Sequence, residues 1–127
     1  MFVLYNPNPL GRMTDDCVIR AVAKVLDMPW ENAFMKLCLK GLTLCDLPNN
    51  NAVWGAYLHD KGFVREAIPN TCPDCYTVEC FCQDHPTGTY VLGTGTHAVA
   101  VIDGNIFDAY YSGDLVPLYA YRKETKQ

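Results

Sequence analysis

Thr96-His97-Ala98-Val99-Ala100-Val101-Ile102-Asp103-Gly104-Asn105-Ile106-Phe107-Asp108 decides how the second half of the chain folds. Apolar residues alternate on either side of Asp103-Gly104, and that dipeptide tolerates the positive φ of a two-residue type I′ turn. The stretch therefore predicts an antiparallel hairpin. Its register follows from the turn: Ile102 faces Asn105, Val101 faces Ile106, Ala100 faces Phe107 and Val99 faces Asp108. His97 and Val99 share a face, so Asp108 falls one diagonal step from His97, roughly 7–8 Å at the backbone and within side-chain reach. A three-residue loop would instead pair Asp108 with Ala100 and turn it away.

Working outward, strands are expected over 89–93 and 115–121. Pro117 places the latter at a sheet edge, because it removes a ladder donor. The first half reads as helical. Thr14 or Asp15 serves as N-cap of a helix running to about Leu26, with Val18, Ala21, Val22 and Val25 on one face. Pro29 suits the first turn of a second helix with the stripe Trp30, Phe34, Leu37 and Cys38, stopped by Gly41. A third helix is expected from Asn51 to Asp60, a strand from Phe63 to Ile68, and a short helix capped by Thr77 and ending near Asp84. A short strand from Phe2 to Tyr5 precedes them all. The fold class is α+β, with N-terminal helices packed on a C-terminal antiparallel sheet.

The chain has 127 residues, which suits a single domain over 1–127. Half of the residues are hydrophobic and the net charge is −4, a balance that gives no electrostatic case for nucleic acid. Arg122-Lys123 with Lys126 forms the basic cluster, read as a solvated tail. No export signal and no membrane span are visible, so a cytoplasmic protein without a membrane partner is expected. Seven cysteines is an odd count, and without an export signal it argues for reduced thiols, a metal site or catalysis over a disulfide scaffold.

Cys17 stands at a helix start, where the positive end of the helix dipole favours thiolate over thiol. The backbone N–H there is unpaired within the helix and can donate to a developing oxyanion. Asp15 and Asp16 oppose the thiolate with negative charge. A histidine such as His97 can activate the sulfur, and Asp108 can orient the imidazole and favour its protonated form.

Cysteine on an N-terminal helix, then histidine on a strand, then Asp or Asn on the next strand, resembles the papain-like cysteine peptidases. The motif Asp16-Cys17-Val18-Ile19-Arg20-Ala21 and the run from Thr96 to Gly104 are similar to those of small papain-like proteins of phages and prophages. The resemblance implies a thiol hydrolase, a peptidase or isopeptidase, attacking an acyl bond of a peptide or protein substrate. Cys17 would be its nucleophile, His97 its base and Asp108 its orienter, with no cofactor required. Papain-like enzymes usually carry a Gln or Asn several residues before the cysteine as an oxyanion donor, but here Gly11 stands six before Cys17. Asn6 or Asn8 could loop back to supply the amide, and Trp54 and Tyr110 are candidates for the substrate groove. The alternative reading is a non-enzymatic, phage-encoded binding or inhibitor protein on the same fold, which a structural zinc could stabilise.

A second cluster lies between Cys72 and His85. Cys72-Pro73-Asp74-Cys75 suits a zinc knuckle, and Cys82 or His85 could complete a structural zinc site. On a helix from Thr77, Cys80 and Cys82 would point about 200° apart, so both cannot ligate one ion. Free thiols and a redox-active pair are the other readings of the same residues.

Overall fold

The computed structural model describes residues 1–124, which leaves Lys126 outside the described residues. Among the described residues there are four helices and six strands, with most helices early in the chain and most strands late. They are β1 (Phe2–Leu4), α1 (Cys17–Val25), α2 (Trp30–Leu44), α3 (Asn51–Asp60), β2 (Phe63–Ala67), α4 (Val78–Asp84), β3 (Thr89–Gly93), β4 (Ala98–Ile102), β5 (Asn105–Asp108) and β6 (Tyr119–Lys123). The strands form one sheet in the order β1-β5-β4-β3-β6-β2.

The β4–β5 hairpin has the expected register, with Ile102 opposite Asn105, Val101 opposite Ile106 and Ala100 opposite Phe107. Asp103 and Gly104 have φ of 51° and 75°, as a type I′ turn requires. Alternation then splits the residues of the central strands between two cores. Ala98, Ala100 and Val91 pack with α1, α2 and α3, whereas Val99, Val101, Leu92 and Ile106 pack with Val78, Phe81 and Cys82 of α4. Small residues make the first of these close: Ala21 on α1 and Ala98 and Ala100 on β4 are all buried. Gly93 completes the close packing, because a Cβ there would lie 2.3 Å from the Tyr119 ring.

Several expectations are corrected. The sheet is mixed rather than antiparallel, because β1 pairs parallel to β5 with Leu4 opposite Asp108. The last strand begins at Tyr119, after Pro117, and lies between β3 and β2 instead of at an edge. Its Arg122 and Lys123 are therefore strand residues, and Arg122 Nε donates to Glu66 at 2.9 Å. Gly41 does not stop α2, which continues to Leu44 and ends with Cys45 in the left-handed region. Its buried stripe is Ala33, Leu37 and Gly41, while Phe34 is exposed. A Cβ on Gly41 would sit 2.7 Å from the Asp46 carbonyl oxygen. The glycine thus serves a close crossing of the returning chain. Among the described residues, no helix is long and apolar enough to cross a membrane.

Candidate active site

Cys17 is the first residue of α1, one step after the N-cap Asp16. The Asp16 carboxylate makes no capping bond. It accepts from Arg20 Nη1 one helical turn on, and from Trp30 Nε1 at 2.8 Å. Arg20 is 4 % exposed and also donates to Oδ1 of Asp108, through Nη2 at 2.8 Å and Nε at 3.1 Å. One buried guanidinium therefore joins the start of α1 to the end of β5. A buried charge needs such partners to offset its lost hydration.

Asp108 is fully buried. Beside the two bonds from Arg20, its Oδ1 accepts from the Ala109 N–H at 2.7 Å, and its Oδ2 faces His97 Nε2 at 2.7 Å. Strand β1 holds the same residue at the backbone, because Tyr5 N–H donates to the Asp108 carbonyl at 2.7 Å. With Nε2 engaged, Nδ1 is the imidazole nitrogen left free for another partner. The Tyr110 hydroxyl lies 3.1 Å from it, and Cys17 lies beside the same ring on a shared cleft.

The electrostatics follow from these contacts. Burial alone would lower His97, but the hydrogen bonds and charges of Asp108 and Cys17 reverse this and raise it to about 9. Burial alone would raise Cys17. The hydrogen bond from His97, the Ala98 backbone N–H and the positive charges of His97 and Arg20 outweigh it and bring the thiol below its ordinary value. Asp108 would likewise rise on burial, yet His97, Ser112 and Arg20 hold it below the usual carboxylate range. The buried Ser112 hydroxyl is near enough to contribute, although it stands outside good hydrogen-bond geometry. Both shifts at the sulfur–imidazole contact run toward a thiolate–imidazolium pair.

Cys17 and His97 open onto a cleft of about 390 Å3 that also exposes Asp15, Asn51, Trp54 and Tyr110. Trp54 and Tyr110, expected in a groove, both line this cleft. Trp54 is nearly all buried and Tyr110 is half-exposed. Asn6 and Asn8 do not line the cleft. Asn6 donates to the Arg12 carbonyl, and the Asn8 side chain accepts from Leu10 and Arg12 N–H, so both are occupied in ordering the loop before α1. Sequence reasoning missed two cleft-lining amides, Asn49 and Asn51, of which Asn51 is held by hydrogen bonds. Its Oδ1 accepts from Trp54 Nε1 at 3.0 Å, which fixes the amide orientation and leaves Nδ2 as the free donor. That Nδ2 has one distant acceptor, the Gly95 carbonyl at 3.5 Å. Arg20 was legible only as part of the Asp-Cys-x-x-Arg-Ala motif. The Asp16–Arg20 spacing of one turn is the signal that marks it as a partner of a buried carboxylate.

The expected zinc set is not assembled. Cys72 and Cys75 are together on an exposed loop, with their Sγ atoms 3.0 Å apart. Cys82 points into the α4 core, where burial raises it to about 11. The His85 ring stacks on Phe81 at 3.9 Å and its Nδ1 lies 3.0 Å from the Phe81 carbonyl. Among the described residues, no three His, Cys, Asp or Glu side chains are grouped to hold a metal ion.

Set beside known proteins, the chain matches no family model, no curated protein and no solved structure.

Proposed function

We propose that the protein is a thiol hydrolase of the cysteine peptidase or isopeptidase kind. The observation that carries this reading is Cys17 beside His97 on one cleft, with the imidazole bonded in turn to the buried Asp108. Cys17 thiolate attacks the carbonyl carbon of a peptide or protein acyl group. The oxyanion takes hydrogen bonds from the Cys17 N–H, which has no intrahelical acceptor at that position, and from Asn51 Nδ2. His97 imidazolium gives its Nδ1 proton to the departing amine, leaving a thioester on Cys17. It then takes a proton from water, which attacks the thioester and releases the acid. Asp108 holds the ring by Nε2 and favours its charged form, and Arg20 keeps Asp108 ionised in turn.

One observation favours a second reading, a binding protein without turnover. The Tyr110 oxygen at 3.1 Å from Nδ1 is an acceptor for the same proton that the leaving group needs. Both readings are separated by intact-mass analysis after mixing with an activated aminoacyl ester. The hydrolase predicts an acyl adduct localised to Cys17, turning over with time and absent from Cys17→Ser. Wild-type protein that never carries that adduct would sink the hydrolase reading.

A further inference from the structure

Cys72 and Cys75 form a second site of sulfur chemistry, outside the cleft, on the loop between β2 and α4. Both side chains are exposed and their sulfurs are 3.0 Å apart. The S–S bond length is about 2.05 Å, so bonding requires a shift of only about 1 Å. The surrounding backbone already holds the two residues in a closed turn. Thr71 carbonyl accepts from Asp74 N–H at 3.0 Å, and Thr71 Oγ1 donates to the Asp74 carbonyl at 2.6 Å. The same hydroxyl accepts from Tyr76 N–H at 3.1 Å, and Asn70 Oδ1 accepts from Cys72 N–H at 3.0 Å. Each cysteine is thus flanked by clamped backbone, and neither has a role in a core.

We propose that Cys72 and Cys75 are a redox-active dithiol that exchanges with small-molecule disulfides of the glutathione type. The Cys72 thiolate attacks one sulfur of the small disulfide, breaking its S–S bond and releasing one thiol. Cys75 then gives up its proton and attacks Cys72 Sγ, which forms the internal disulfide and releases the second thiol. Two electrons and two protons pass from the pair to the small disulfide, and reversal restores both thiols. Cys75 is held above its ordinary value by the hydrogen bond from Cys72, by burial and by the charge of Cys72.

The test is to equilibrate the full chain in reduced and oxidised glutathione at a series of ratios. Free thiols are then quenched with N-ethylmaleimide and the peptides mapped by mass. The peptide spanning both cysteines is expected to lose the mass of two hydrogens, with a single midpoint, at ratios where Cys38 and Cys45 still alkylate. In Cys75→Ser, Cys72 is expected to accumulate bound glutathione, because no second thiol resolves it. Two independently glutathionylated cysteines, or two that alkylate at every ratio, would overturn the proposal. So would one equivalent of zinc per chain that protects both thiols from alkylation, since a metal site would then explain the pair.

Discussion

Asp108→Asn is the most informative single substitution, because the structure makes this near-isosteric change non-conservative. Three donors converge on Asp108 Oδ1: Arg20 Nε, Arg20 Nη2 and Ala109 N–H. In the variant they fix the amide oxygen at that position, and its Nδ2 must face His97 Nε2. A donor there requires Nε2 to be a lone-pair acceptor, which disfavours the imidazolium. His97 is raised from 6.5 to about 9, and that shift corresponds to about 3.4 kcal/mol of differential interaction. Cys17 supplies part of it, and solvent in the cleft screens the rest, so about 2 kcal/mol is assigned to Asp108. That is about a 30-fold change in the ion-pair equilibrium. The expected result is a fall of about 30-fold in the rate at which iodoacetamide labels Cys17 at pH 6, with rates converging toward pH 9.5, where the ordinary thiol also ionises. A thermal melt verifies that the variant is folded, with about 2–3 kcal/mol lost from the weakened Arg20 site. A folded variant that labels within threefold of wild type at pH 6 would refute the argument that Asp108 sustains the pair.

Further outcomes follow from the same contacts. Trp30→Phe removes the indole N–H that reaches Asp16 at 2.8 Å, and is expected to cost about 1–2 kcal/mol in urea unfolding with an unchanged slope; an unmoved midpoint would contradict it. Tyr110→Phe removes an acceptor of the Nδ1 proton, and is expected to raise Cys17 alkylation at pH 6 by up to about fivefold, equivalent to about 1 kcal/mol. A marked fall would instead assign the hydroxyl a positioning role. Because the folded value of His97 is raised, its stabilisation is fully present below 6.5 and lost as pH rises through about 9. The difference in melting temperature between wild type and His97→Ala is therefore expected to shrink across that window; a difference that is flat or grows with pH would contradict the assignment.

The parts of the fold set by local chemistry were legible. Asp103-Gly104 needs only its own two residues to adopt the turn that fixes the β4–β5 register from Ile102–Asn105 to Ala100–Phe107. Asn51–Asp60 and the Thr77 cap are likewise local: Thr77 Oγ1 accepts from Cys80 N–H at 3.3 Å. What failed was non-local. Pro117 marks where β6 cannot yet begin, but says nothing of which strands flank it. Gly41 sits mid-helix because the chain near Asp46 and Pro48 crosses it closely, a contact invisible from the helix alone. The parallel pairing of β1 joins residues about a hundred positions apart. At the site, Cys17, His97 and Asp108 were singled out by their order along the chain, and His97 and Asp108 do meet. Arg20 hid as an ordinary charge on an amphipathic helix, and Asn51 is placed only by the packing of α3 beside Gly95. The proposed zinc set failed because the helix from Thr77 buries Cys82 and turns His85 onto Phe81.

The central claim is that Cys17 and His97 form a thiolate–imidazolium pair, and mass-mapped alkylation of the reduced protein tests it most directly. Limiting iodoacetamide is applied across a series of pH values to wild type and His97→Ala in parallel. Selective labelling of Cys17 below pH 7, lost in the variant while the other cysteines are unaffected, is the predicted result. Cys17 that labels no faster than exposed Cys45, or at the same rate in both proteins, would contradict the account.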